Sequence, residues 1–319
     1  MIASNLQISL PSKSRDNLHE YSEIFNLLPA NTQKAYLYDM KHFFTWCDDE
    51  NLEPLKNDLA YNKSLLKSYF SKLIEKDLAR ATIVRKKAPL SKFIDVLEWP
   101  NPFSNILFKE WLKLLLKKKS SFQVQAPALT SELLTVINSK LDENCMLQLR
   151  DKVMVNIMFD GLLRASELCD IQCNDISFIK KTMFIAKSKT DQEQKGQYRV
   201  LSSYTLGLIS RWKEMSLTVS GYLLRSLTPS KAVTQRGMQY SAVLESFKRL
   251  SVLVEIDSEV FTGHSARVGG AVTLAENGCS VLDIQRSGGW KTPNMPARYT
   301  EQTSIQNQGM GAVIKKLGR

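Results

Sequence analysis

From Asn31 onward, the apolar side chains of the N-terminal stretch recur at three- and four-residue steps and do not alternate. Tyr36, Met40, Phe43, Phe44 and Cys47 mark one such stripe, and further helical stretches follow over 63–76, 82–97 and 104–118. A 3.6-residue period buries one face of a helix, whereas a two-residue period would bury one face of a strand. The stretch is therefore predicted to fold as a small all-helical bundle. Asn31 or Thr32 is the expected cap of its first helix. Residues 1–20 are polar and read as a loose arm, which leaves a helical domain over 21–118.

The period breaks at "KKKSSFQVQAPALT" (117–130), where a charge run is followed by small polar residues and Pro127. Such composition marks a linker, placed at 119–129, and a second domain occupies 130–319. Thr130 or Ser131 is expected to cap its first helix, with Glu132 facing the positive end of the helix dipole. "MLQLRDKVMVNIMFDGLL" reads as an apolar helix ending at Gly161. "DISFIKKTMFIAKSKTDQEQKGQYRVLSS" carries β-branched and aromatic residues between polar breaks, as in two or three short strands. "TLGLISRWKEMSL" and "QYSAVLESFKRLSVLV" are amphipathic helices. "SARVGGAVTLAENG" is a helix closed by Gly278, and Ser280 with Asp283 forms a capping pair for the next. The fold class is mainly α, with a small antiparallel sheet in the second domain.

The formal charge is +11, with 19 Lys and Arg against 14 Asp and Glu in residues 1–130 and 24 against 18 beyond. A positive excess spread over both domains favours an extended polyanion, most simply nucleic acid. Residues 63–92 concentrate it, and a helix pair laid against phosphates fits them better than a merely solvated face. The five cysteines are irregularly spaced and, with no second pair or His cluster beside Cys169 and Cys173, do not complete a zinc site. No apolar run approaches the roughly 20 residues of a membrane span, and no secretory pattern opens the chain. A soluble, cytoplasmic, DNA-associated protein is expected.

Four short segments carry chemistry. Arg164 and Glu167 stand in "GLLRASELCDI", where an arginine in apolar surroundings needs an anionic partner, either Glu167 or a phosphate. His264 and Arg267 in "GHSARVGG" lie three apart at a helical start and are expected to face the same way, with Gly263, Gly269 and Gly270 permitting close backbone approach. Lys187 and Lys189 lie on the proposed hairpin, where a lysine reaching a phosphate could serve as a general acid. Trp290 and Tyr299 close "GGWKTPNMPARYT". A phenol with a pKa of about 10 is a poor nucleophile unless cations surround it, and Arg164, Arg267 and a lysine would supply them.

In this order, "LLRASEL", "GHSARVGG" and "GGW" with the tyrosine nine residues after the tryptophan resemble the tyrosine site-specific recombinases of the phage integrase family, most closely the Cre-type branch. The resemblance covers roughly 22–319. It implies a two-domain DNA clamp, with an N-terminal core-binding domain and a catalytic domain. It implies Tyr299 as nucleophile, forming a 3′-phosphotyrosyl link. Arg164, His264, Arg267 and Trp290 would hold the phosphate, Lys189 would be the general acid with Lys187 in reserve, and Glu167 would support the site. Neither metal nor ATP is required. Lys34, Arg80, Arg85, Lys86 and Lys87 are candidate DNA contacts in the first domain, and Arg236, Gln239 and Lys248 in the second. The terminal "IQNQGMGAVIKKLGR", with Ala312, Val313, Ile314 and Leu317, would enter a neighbouring subunit, giving a dimer on paired inverted half-sites and a tetramer in synapsis. Accessory factors are not expected, since no arm-binding segment is read before residue 20. A type IB topoisomerase and a catalytically silent DNA-binding protein share these features and are the alternatives.

Overall fold

The stripes of the N-terminal stretch become helices α1 (Ser12–Asn26), α2 (Ala30–Asp49), α3 (Leu59–Glu75), α4 (Arg80–Val96) and α5 (Ile106–Lys117). The computed structural model describes residues 12–120, 125–186, 196–255, 260–299, 313, 314 and 317. The chain divides into two compact units, Met1–Val124 and Gln125–Arg319. Two expectations for the first unit need correction. The supposed loose arm is helical from Ser12, and α1 buries Leu18 and Phe25. The first predicted helix starts before Asn31 and Thr32, with Pro29 at its cap position, so neither residue caps it. Elsewhere side chains do cap: Asp58 accepts from the Ala60 and Tyr61 amides at 2.8 and 3.0 Å, satisfying donors that the first turn of α3 leaves open.

The core of this unit is aromatic. Phe43, Tyr69, Phe70, Phe103 and Phe108 are buried, and Phe43 meets Tyr69 edge-on, with ring centroids 5.0 Å apart. Asp39 is buried among them. Its Oδ1 accepts from Arg85 Nη2 at 2.9 Å and from Lys86 Nζ at 3.0 Å. Lys86 is only 2% exposed. It is a core counter-ion rather than a surface cation, which removes it from the candidate DNA contacts. A buried carboxylate demands a cation, and the basic run supplied one inward.

The second unit is built on α7 (Met146–Asp160), whose residues Leu149–Met158 are all buried. It packs against α6 (Ser131–Lys140), α8 (Ala165–Asp170), α9 (Ser203–Met215) and α11 (Ser265–Glu276). A helix covered on every side must pair its charges. Asp151 accepts two bonds from Arg249, at 2.9 and 3.1 Å, and one from Ser246 at 2.6 Å. Arg249 belongs to α10 (Tyr240–Leu253). Strands β1 (Ile176–Ser177), β2 (Thr182–Ile185) and β3 (Gln197–Val200) form the expected antiparallel sheet in that order, with Met183 opposite Arg199. A second hairpin, β4 (Arg225–Leu227) and β5 (Val233–Gly237), was not foreseen. Ser280 and Asp283 cap α12 (Val281–Gly288) as a reciprocal pair. No described helix is long and apolar enough to cross a membrane.

Thr130 is the cap of α6, its hydroxyl accepting from the Leu133 amide. The residue before it is not linker-like: Leu129 is fully buried and donates its amide to the Ser265 carbonyl at 3.1 Å. Gly269 lies against this segment so closely that a Cβ there would sit 1.7 Å from the Leu129 oxygen. No side chain fits without moving backbone.

Gly269→Ala is expected to destabilise the protein by about 3 kcal/mol or more in urea unfolding, by overpacking against backbone; a loss under about 1 kcal/mol would contradict this packing. Asp39→Ala strands the buried Lys86 and should cost about 3–5 kcal/mol. Arg85→Ala, with its side chain 43% exposed and Lys86 still paired, should cost under about 1 kcal/mol. Equal losses in these two variants would refute the assignment of Lys86 as the resident counter-ion.

Candidate active site

The end of α7 sets the first part of the site. Gly161 caps the helix with ordinary right-handed geometry, and the left-handed residue is Leu162, with φ +50°. The Leu163 amide then reaches back to the Met158 carbonyl at 3.0 Å, as in a Schellman closure. The sharp turn delivers Arg164 in extended conformation to the head of α8. Glu167, three residues on, accepts from the Arg164 amide at 2.9 Å and from its Nη1 at 2.5 Å. The carboxylate thus closes the helix start and neutralises the arginine at once.

Arg267 is the centre of the site. It occupies the third position of α11 and is 2% exposed. Its Nη1 donates to the Leu162 carbonyl and its Nη2 to the Gly288 carbonyl, the latter at 3.0 Å. The flat guanidinium lies 3.9 Å over the Trp290 ring, a geometry that suits a delocalised cation. Trp290 in turn meets Tyr299, with ring centroids 5.7 Å apart. Gly288 permits this arrangement, because a Cβ there would meet the indole at 1.9 Å. Gly289 completes the turn in the left-handed region at φ +65°.

Charge in this site is unbalanced. Burial pushes Arg267 down to about 9, Arg164 and more weakly Arg199 push the same way, and Glu167 and Tyr299 oppose them. At neutral pH it remains a cation, held in a place that disfavours one until an anion arrives. Burial raises the Tyr299 phenol, while Arg267, Arg164 and Arg298 pull it down. Arg199, on β3, is lowered chiefly by burial and is coupled to Glu167 and Arg164. Among the described residues, Arg164, Arg199 and Arg267 all act on the one carboxylate of Glu167. An anion such as a phosphate diester would complete the set.

Of the residues singled out in the sequence, Arg164, Glu167, Arg267, Trp290 and Tyr299 are brought together here. His264 stands exposed at the head of α11, three residues before the buried Arg267. Lys187 and Lys189 lie outside the described residues, as does Ala312. Lys34 is exposed on α2, Arg80 is half-buried at the start of α4, and Lys87 is half-buried over the Phe103 ring. Arg236 is exposed on β5, Gln239 precedes α10, and Lys248 is exposed and paired with Glu245 at 2.8 Å.

Sequence reasoning missed Arg199 and the two carbonyls that hold Arg267. "QYRV" misleads because its alternation is inverted: Tyr198 and Val200 are 70% and 72% exposed and Arg199 faces inward. An arginine between two outward apolar residues was the available signal.

Residues 128–305 match the Phage integrase family. An integrase/recombinase XerD homolog of Selenomonas ruminantium is 26% identical over 316 residues, covering 95% of this chain and 89% of that protein. The recombinase Cre of Escherichia phage P1 is 26% identical over 185 residues, 53% of each chain. Among solved structures, the Tn1549 transposon integrase in complex with transposon right end DNA matches at a TM-score of 0.66 and 14% identity, over 90% of this chain and 94% of that one. A lambda integrase dimer bound to a COC′ core site matches at 0.60 and 15%, over 89% and 94%. At these identities the structural likeness is one of fold.

Glu167→Ala should lower stability by about 3 kcal/mol, since it leaves buried cations without a carboxylate. Added sulfate should restore more stability to this variant than to the wild type in urea unfolding. An equal response in both would show that the site is not short of negative charge.

Proposed function

The chain belongs to the phage integrase family of tyrosine recombinases, and we propose that it cuts and rejoins duplex DNA with Tyr299 as the nucleophile. Action as a DNA recombinase follows from that membership. The observation that carries the finer reading is the buried Tyr299 phenol coupled to the Arg267 and Arg164 guanidiniums.

In this reading the Tyr299 oxygen gives up its proton to water and attacks the scissile phosphorus. A phosphotyrosyl bond forms on the 3′ side, and the bond to the 5′ oxygen breaks. Lys189, or Lys187 in its place, gives a proton to the departing oxygen. Arg164, Arg267 and His264 hold the non-bridging oxygens, where negative charge grows in the five-coordinate state. Trp290 keeps the Arg267 plane fixed and offers its indole N–H to the phosphate. Glu167 orients Arg164 and takes no part in proton transfer. The 5′ hydroxyl of an exchanged strand then attacks the phosphotyrosine and releases the enzyme. The bond energy is conserved throughout, so the step requires no nucleotide, and side chains supply the cations.

The first unit acts as the core-binding domain, with Lys34, Arg80, Arg85 and Lys87 on the backbone, and the second unit adds Arg236, Gln239 and Lys248, whose forked groups suit guanine and adenine edges. Val313, Ile314 and Leu317 are exposed apolar side chains near the carboxyl end, a surface that favours cover by another subunit. Dimers on inverted half-sites, joined as a tetramer in synapsis, would provide it.

Tyr299→Phe should bind target duplex within about twofold of wild type, the phenol adding little to phosphate-dominated affinity, yet trap no adduct on a nicked suicide substrate. Undiminished cleavage would remove Tyr299 from its role. Arg267→Ala should lose about 10²–10³ in single-turnover rate with little change in affinity, and parallel losses in both would argue for simple binding. Affinity should fall at least about tenfold between roughly 50 and 200 mM salt; a flat response in an anisotropy titration would contradict the phosphate contacts.

A further inference from the structure

Arg199 is a buried arginine that the fold itself does not require. Its neighbour across the sheet is Met183, and Ile185 lies two residues further along that strand; both are buried and apolar. An apolar side chain on β3 would pack there without burying a charge. Arg199 instead places its guanidinium inside at 8% exposure. Its Nη2 donates to Gln197 Oε1 at 2.7 Å and its Nη1 to the Tyr198 carbonyl at 3.2 Å. Both acceptors are neutral and belong to its own strand. Its Nε is buried and has no hydrogen-bond partner, and no carboxylate among the described residues lies within ion-pair distance of it. A buried guanidinium in that condition is destabilising unless an anion offsets it.

Its position says which anion. A Cβ on Gly289 would sit 2.1 Å from Gln197 Oε1 and 2.3 Å from Arg199 Nη2. The Arg199–Gln197 pair is therefore seated directly on the turn between Gly288 and Trp290. The Gly288 carbonyl holds Arg267 Nη2, and Trp290 lies under the Arg267 guanidinium. Arg199 thus lies against the turn that fixes Arg267. Its charge also adds to those of Arg164 and Arg267, and Glu167 opposes all three.

We propose that Arg199 is a positioning residue of the phosphate site, bracing the Gly288–Trp290 turn against β3 and holding a third positive charge behind Arg164 and Arg267. This rests on the reading of Tyr299 as the nucleophile. A charge held behind the phosphate attracts the reaction's five-coordinate state more than the ground state, because the former carries more negative charge. Arg199 therefore acts on rate more than on affinity.

The test compares Arg199→Met and Arg199→Lys with wild type in the full chain. Three quantities are measured: single-turnover adduct formation on a nicked suicide duplex at saturating protein, affinity for the same duplex, and melting temperature. For Arg199→Met we expect adduct formation to fall at least tenfold, affinity to stay within about twofold, and the melting temperature to hold or rise, since a buried unpaired charge has been removed. Arg199→Lys keeps the charge and should recover to within about threefold to tenfold of wild type, above the Met variant. If the Met variant does not fold, a Lys variant with wild-type affinity and a measurably slower rate supports the proposal, and one that loses affinity and rate together overturns it. An undiminished Met rate, or a rate that falls only with the melting temperature, overturns the role of Arg199 while wild-type adduct formation leaves Tyr299 standing. Absence of adduct in the wild type overturns the nucleophile reading and this inference with it.

Discussion

The site depends on how one arginine is held. Arg267 is buried, and its guanidinium donates to two main-chain oxygens, Leu162 and Gly288, with the Trp290 ring beneath it. A carboxylate in either place would neutralise it and leave nothing for a ligand. Carbonyls orient the guanidinium and satisfy some of its donors without cancelling its charge. The surrounding structure serves this arrangement. Leu162 adopts a left-handed conformation costing about 1–2 kcal/mol, so that its carbonyl meets the arginine. Gly288 omits a side chain so that the indole can close in, and Gly269 omits one so that α11 can lie against Leu129.

Electrostatics then divide the labour between stability and chemistry. Glu167 pairs with Arg164 at the head of α8 and restrains the repulsion among three guanidiniums. Without it the cluster would be hard to fold, and with a second carboxylate it would not attract a phosphate. Tyr299 feels both influences: burial alone would make its phenol less acidic, and the arginines oppose that effect. The first unit solves a related problem differently. Asp39 takes one cation fully inside, Lys86, and a second, Arg85, from the rim, so one carboxylate there is matched to more positive charge than it needs.

Much of this was legible in the sequence, and the exceptions have physical causes. The helices followed from apolar spacing, and the order of Arg164, Glu167, Arg267, Trp290 and Tyr299 announced the cluster through its resemblance to the tyrosine recombinases, each motif being weak by itself. Lys86 could not be told from the lysines around it, since a basic run does not reveal which member turns toward a buried carboxylate two helices away in sequence. Arg199 was hidden by a strand whose apolar residues face out. The β4–β5 hairpin was missed because "RSL" and "VTQRG" carry little of the aromatic and β-branched content that marks strands. Leu162 was hidden too: a left-handed leucine has no local signature, and Gly161 beside it drew the assignment.

Main-chain oxygens have a property that side-chain ligands lack: no codon specifies them. Any residue at position 162 that tolerates the turn presents the same carbonyl, and replacement of Leu162 can alter the packing beside it without deleting the acceptor. The arginine's cradle is thus inherited with the path of the chain rather than with its letters, and the side chains around it can drift a long way before the grip is lost.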